Sequence, residues 1–149
     1  MKEIPDYLQL AYAEMHLRVR EIPGAVNNPR VLEYHKPFGF KADEISWCAA
    51  FVGFCLQGAG TGRADARSYL DWGEKVEVEN IQLGDILIFR RGDIHTPGIS
   101  WMGHVAFYVG IDSVGNYMCL GGNQDNCVCV KAYARVRLLG IRRPASVGK

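Results

Sequence analysis

The stretch Trp47-Cys48-Ala49-Ala50-Phe51-Val52-Gly53-Phe54 decides the fold. A tryptophan and a cysteine head an apolar run that reads as a helix from about Trp47 to Leu56, broken by Gln57-Gly-Ala-Gly-Thr-Gly62. The run is apolar almost all round, so it is expected to be buried on most faces. Ala49 and Ala50 are small enough to let it pack closely on a sheet. Lys41-Ala-Asp-Glu-Ile-Ser46 precedes it, and with Ser46 or Asp43 as cap, Cys48 falls in the first turn. Unpaired N–H groups and the helix dipole favour an anion there. Such a place lowers a thiol pKa and favours the thiolate, the form that attacks carbonyls. Taken alone, Cys48 reads first as a small buried hydrophobe, as most free cysteines are, so the rest of the chain has to decide.

Upstream, Pro5 to Arg20 reads as an amphipathic helix, with Leu8, Tyr12, Met15 and Val19 on one face and Ile22-Pro23-Gly24 as its stop. Asn27-Asn28-Pro29 caps a short second helix carrying Val31, Leu32 and Tyr34, which ends before Pro37. His35, on that helix, is expected to be exposed or at an edge. Downstream, Ala66 to Trp72 is one more helical turn, ended by Gly73. The period then changes. Strands are expected at Asp85–Phe89, His104–Ile111, Asn116–Leu120, Cys127–Tyr133 and Val136–Ile141, with a hairpin turn at Asp112-Ser-Val-Gly115. Strands this close together form a mostly antiparallel meander or small half-barrel. The predicted class is α+β, with N-terminal helices packed on a C-terminal sheet. The whole chain, 1–149, reads as one catalytic domain with a core from about 5 to 143 and a loose tail at 144–149.

Composition narrows the function. The chain carries 17 Lys+Arg against 16 Asp+Glu, net +1, which gives no electrostatic case for nucleic acid or an anionic membrane. No run approaches the length of a membrane span. Met1 to Arg20 lacks the uninterrupted apolar stretch of a signal peptide, so the product is expected to be made in the cytoplasm and to act elsewhere only after release or export. Five cysteines leave at least one thiol free in a monomer, the oligomeric state expected here. None forms a C-x-x-C pair, and His95 and His104 show no zinc-type spacing to Cys127-Val-Cys129, so no metal or cofactor is expected. Cys127 and Cys129 alternate onto one strand face and read as core. Asp85 reads as a turn residue.

A cysteine nucleophile needs a base, and the base needs something to hold its ring. Of four histidines, His16 lies inside the first helix and His95 in a loop. His104 opens a strand directly after Met102-Gly103, where it can face a cleft. Pairing Ile111 with Asn116 around the hairpin sets His104 opposite Asn123. Register errors of a residue leave Gln124 open as the orienting amide.

The segments Trp47-Cys48-Ala-Ala-Phe-Val, Leu83-Gly84-Asp85-Ile-Leu-Ile-Phe, Gly103-His104-Val-Ala-Phe-Tyr-Val and Gly121-Gly-Asn123-Gln124, in that order, resemble the NlpC-type and CHAP group of papain-like cell-wall hydrolases. The resemblance covers roughly residues 20 to 143. Asp43-Glu44 and Ala66-Arg67-Ser68…Trp72-Gly73 add a likeness to small phage endolysins. It implies a peptidoglycan substrate, a nucleophile Cys48, a base Cys48 can reach in His104, and an orienting Asn123. CHAP members often carry Glu where this chain has Gly121, and NlpC-type enzymes often carry Asp where it has Trp47. The Cys48 N–H is one expected oxyanion donor, with Tyr34 a candidate for the second. Trp47, Asp43, Glu44, Arg67, Trp72, Trp101 and Gln124 are candidates to line the substrate groove. Two other classes compete with the hydrolase: a catalytically silent wall-binding or phage-structural module, and a cytoplasmic protease of proteins.

Overall fold

The computed structural model describes residues 4–22, 28–38, 47–91 and 103–145. Pro5 stands at the cap of α1 (Asp6–His16), where its fixed φ suits entry to a helix. Asn28 caps α2 (Pro29–His35) by accepting the Arg30 N–H at 2.8 Å, with Pro29 at the first helical position. The third helix, α3 (Cys48–Cys55), starts at Trp47. Ser46 and Asp43, the expected caps, lie outside the described residues.

Six strands follow: β1 (Glu74–Lys75), β2 (Ile86–Arg90), β3 (Gly103–Ile111), β4 (Tyr117–Gln124), β5 (Cys127–Tyr133) and β6 (Leu138–Arg143). They form one antiparallel sheet in the order β1-β6-β2-β3-β4-β5. The expected α+β class, helices first and sheet second, is what the chain adopts. β1 is the strand that the sequence reading omits: two exposed residues carry no apolar alternation to read.

The sheet is apolar on both faces, which is why β2 reads as an unbroken apolar run. Ile86, Ile88, Val105, Phe107 and Leu120 meet Leu8, Val31, Tyr34, Trp47, Phe51 and Val52 from the helices. Leu87, Phe89, Ala106, Tyr117, Cys119 and Ile141 form a second cluster. Helix α3 lies so close to β4 that a Cβ on Gly122 would sit 2.7 Å from Phe51 Cβ and from the Trp47 ring. Glycine at 122 is therefore a packing requirement.

Two ion pairs fasten the elements. Glu14, buried in α1, accepts Arg30 Nη2 at 2.6 Å and the Tyr34 hydroxyl at 2.7 Å, joining α1 to α2. Asp85 accepts Arg143 Nε at 2.7 Å, Arg143 Nη2 at 2.9 Å and the Gln82 N–H at 2.8 Å. It is thus a turn residue that also holds the end of β6. After α1 the chain runs beside β5, with the Val128 N–H on Val19 O at 2.8 Å and the Glu21 N–H on Asn126 O at 2.7 Å.

His35 is fully buried, contrary to the exposed or edge position expected of it. The α2 face that carries Val31 and Tyr34 inward brings His35 with them, since four residues separate it from Val31. Cys127 and Cys129 are half-buried rather than core.

Candidate active site

Cys48 is the first residue of α3 and is 3% exposed. The first-turn N–H groups have no intrahelical acceptor and point past the sulfur's end of the helix. His104, second residue of β3, hydrogen-bonds the sulfur, and so does the Val105 N–H. Burial pushes the thiol pKa up. The charge and hydrogen bond of His104, the Val105 N–H and the positive charge of Arg91 outweigh that effect and bring it from 9.0 down to about 7. A thiol held there has more thiolate at neutral pH than an ordinary buried cysteine.

The residue that holds His104 is Gln124. His104 Nε2 lies 2.9 Å from Gln124 Oε1. The Gln124 amide nitrogen donates to Cys119 O at 3.1 Å and Cys129 O at 2.6 Å, so its orientation is fixed by two carbonyls. Oε1 is therefore the acceptor, and Nε2 must carry the proton. That tautomer leaves the other ring nitrogen, Nδ1, bare to take a proton from Cys48.

Asn123, the expected orienter, does not supply this bond. β4 and β5 pair at Gly121↔Cys129 and next at Gln124↔Cys127. β4 thus spends three steps where β5 spends two, the one-residue excess of a bulge. Asn123 takes it up in a left-handed conformation, φ 56°, which Asn tolerates better than most residues. The extra residue flips the alternation and swings Gln124 onto His104. Gly121 leaves room for it, since a Cβ at 121 would lie 2.9 Å from Gln124 Oε1. A side chain at 121 and the Gln124 amide compete for one space.

Tyr133 completes the arrangement, and the sequence reading passes over it. Its hydroxyl donates to Gln124 Oε1 at 3.0 Å, and its ring stacks on His104 with centroids 5.1 Å apart and planes at 27°. Phe89 stacks behind it at 4.7 Å. The signal was the alternation of β5, which puts Tyr133 on the face of Cys127 and Cys129. Both of those thiols donate to the Gln124 carbonyl, at 3.1 and 3.2 Å.

The remaining candidates separate. Trp47 is 0% exposed, gives its indole N–H to Glu21 Oε1 at 2.8 Å and stacks on Tyr34. Tyr34 is buried with its hydroxyl on Glu14. Neither presents a surface to substrate, so the groove role expected of Trp47 and the oxyanion role considered for Tyr34 are both corrected to core packing. An indole and a phenol this apolar are worth more against Phe51 and Phe54 than in a groove. Trp72 is half-buried, packs edge-on against Tyr69 and donates to Ala59 O at 3.0 Å. Arg67, on the 3-10 turn Ala66–Asp71, reaches the site: its Cγ is 3.0 Å from the place of a Cβ on Gly103, next to His104. Asp43, Glu44 and Trp101 lie outside the described residues. A cleft of about 560 Å³ opens on α3 at Ala50, Gly53 and Phe54, but neither Cys48 nor His104 lines it.

Residues 40–123, more than half of the chain, match the CHAP domain. The chain belongs to the CHAP family. No curated protein matches this CHAP domain. A solved structure from Staphylococcus aureus, of a protein similar to a lipoprotein of the NLP/P60 family, is similar at 16% identity and TM-score 0.56, over 99% of this chain and 44% of that one. At that identity the likeness is one of fold: the CHAP domain here has the α+β papain-like architecture of the NlpC/P60 group. This chain spans less than half the length of that neighbour. The family match stops at Asn123, one residue short of the amide that holds His104.

Proposed function

We propose that this CHAP domain is a thiol hydrolase that cuts an amide bond of bacterial peptidoglycan, either within the stem peptide or between muramic acid and L-alanine. The observation that carries the reading is the Cys48–His104–Gln124 chain, with the thiol pKa held near 7 at a helix N-terminus. The Cys48 thiolate attacks the carbonyl carbon, and the oxyanion meets the N–H groups at the start of α3. His104, having taken the thiol proton on Nδ1, returns it to the leaving amine. Water then attacks the thioester with His104 as base, releasing the acid and restoring the thiol. Gln124 fixes the ring throughout. Being neutral, it stabilises the imidazolium less than a carboxylate would.

The setting we infer is that of a phage endolysin, with an exported antibacterial amidase as the rival. A silent wall-binding module has no use for a thiol with this pKa. Zymography on purified sacculi tests the reading. Clearing by the wild type and none by Cys48→Ala is expected, and mass spectrometry of the released muropeptides names the bond. Clearing that persists in Cys48→Ala would sink the proposal.

A further inference from the structure

Two thiols lie against the residue that holds His104, and the chemistry above does not use them. Asp125 and Asn126, both left-handed at φ 52° and 62°, close a tight hairpin between β4 and β5. Gln124 stands before that turn and Cys127 after it, paired across the ladder. Cys127 and Cys129 are two residues apart on β5, so they project from one face. Their thiols meet at one atom: both donate to the Gln124 carbonyl oxygen, at 3.1 and 3.2 Å. The two sulfurs are also within hydrogen-bond reach of each other. Cys129 has a second hold on Gln124, since its own carbonyl accepts the side-chain amide at 2.6 Å. Both residues are half-buried, whereas Cys55 and Cys119 are sealed in the core.

A dithiol with both sulfurs on one acceptor is already gathered for a disulfide. Two steps along a strand span about 6.6 Å. That is the long end of the range of roughly 4.4–6.8 Å over which a disulfide joins two Cα atoms. Closing the bond therefore draws the strand together locally. It also removes both S–H donors from the Gln124 carbonyl, because a disulfide has no proton to give. The Cys129 carbonyl that orients the Gln124 amide moves with the strand. The amide oxygen that receives the His104 Nε2–H, at 2.9 Å, then loses its aim.

We propose that Cys127 and Cys129 are a dithiol modification site, which a small-molecule disulfide oxidises to release Gln124 from His104. First, one thiolate attacks a sulfur of the oxidant R–S–S–R, forming a mixed disulfide and expelling one R–S⁻. The second thiolate attacks the protein sulfur of that mixed disulfide, closes the Cys127–Cys129 bond and expels the other R–S⁻. The two protein protons end on the two released thiols, so one disulfide is reduced as the other forms. Burial and the neighbouring Cys127 push the Cys129 thiol up to about 11. That suits Cys129 to the second attack, where proximity makes up for a small share of thiolate. A small dithiol reverses the sequence. The effect on turnover rests on the hydrolase reading; the disulfide and its effect on His104 do not.

The test uses the full chain as Cys48→Ala, which removes the thiol that competes for oxidant. Treated with glutathione disulfide, its intact mass is expected to fall by two hydrogens. Cleavage before Asp125 yields a fragment whose only cysteines are Cys127 and Cys129, and the loss is expected there. Cys48→Ala/Cys129→Ser cannot close the ring and is expected to gain glutathione at Cys127 instead. NMR of the histidine ring nitrogens reads the coupling. The His104 Nε2–H signal of the reduced protein is expected to vanish on oxidation and return with dithiothreitol. In a glutathione buffer, wild-type kcat/KM on peptidoglycan is expected to fall about ten-fold further than that of Cys127→Ser/Cys129→Ser. Both proteins lose what capping of Cys48 takes, so the difference reports the pair. Thiols that persist at 127 and 129, or a bond from either to Cys119, overturn the site. A Cys127–Cys129 disulfide that leaves the His104 signal unmoved overturns the link to Gln124, as does an equal fall of kcat/KM in the two proteins. If the disulfide forms and His104 responds, but the reduced wild type cuts no peptidoglycan, the hydrolase reading is overturned and the modification site is kept.

Discussion

Burial and the groups around its sulfur act on the Cys48 thiol pKa in opposite directions, so its titration is an observable. Alkylation by iodoacetamide should rise with pH through a midpoint near 7, because the thiolate is the reacting form and the pKa lies at about 7. In His104→Ala the lowering charge is gone and burial remains, so the midpoint should move upward, past the ordinary thiol value. A midpoint unchanged by that substitution would contradict the pairing. The orienting residue makes a second test. Gln124→Ala should lower kcat/KM by roughly 10–100-fold, the usual effect of removing a group that orients a catalytic ligand or base. Asn123→Gly, which suits the left-handed backbone, should change it only a few-fold. Tyr133→Phe keeps the ring on His104 and removes one hydrogen bond to Gln124, so a loss of about 3–10-fold is expected, on the order of one hydrogen bond. Tyr133→Ala should cost more, and should broaden the pH profile as His104 loses its stacking partner. Much of this pair was legible in the residues. Cys48 stands where a helix must begin, and His104 stands where a strand must begin. Gln124 was not decided, because a bulge is a backbone event and side-chain alternation cannot register it. Trp47 was expected in the groove and Tyr34 at the oxyanion hole because an aromatic reads the same in sequence whether it faces substrate or core.

The elements carry a different lesson. α2 was legible because Asn28-Pro29 is a start signal with a mechanism, and the observed cap is the bond that mechanism requires. β2, β3 and β5 announced themselves by apolar runs. β4 ran longer than expected, to Gln124, because Gly121 and Gly122 read as a strand end. In the structure they are strand, chosen for what lies against them. That distinction separates two substitutions. Gly122→Ala drives a Cβ to 2.7 Å from the Phe51 Cβ and the Trp47 ring, so helix and strand must part. A loss of roughly 1–3 kcal/mol is expected in urea denaturation, typical of an overpacked core. Gly121→Ala also overpacks, with its Cβ 2.8 Å from the Ala106 Cβ, and in addition it meets the Gln124 amide oxygen at 2.9 Å. It should cost activity out of proportion to stability. Equal stability losses in the two variants, with activity intact in Gly121→Ala, would argue that Gln124 does not need that space.

Across the whole molecule, a helix supplies Cys48 and the sheet supplies the His104 that bonds it. Whatever fastens one to the other fastens the site. Within the sheet, Asp85 at the entry to β2 and Arg143 at the end of β6 make a tie that is distant in sequence and absent from any local pattern. Asp85→Ala should destabilise by roughly 2–3 kcal/mol in thermal or urea denaturation, less than a fully buried pair would because Arg143 reaches solvent. It should leave kcat/KM of the surviving folded fraction near the wild-type value. The overall class followed from the order of helical and strand-like segments, whereas long-range ties of this kind follow only from the folded chain.

The sheet has two borders, β1 and β5. A border is also a template on which another chain can add itself, and this molecule leaves little of either open. One ends in β1, two exposed charged residues long. The other, β5, is partly occupied by the segment after α1, through Val19 and Glu21. Its Lys131 forms an exposed pair with Asp125, which keeps the remaining border charged. Solubility in concentrated preparations thus depends on the linkage that follows the first helix. Deleting residues 1–22 should bare β5 and yield thioflavin-binding fibrils at concentrations where the intact chain stays clear by light scattering.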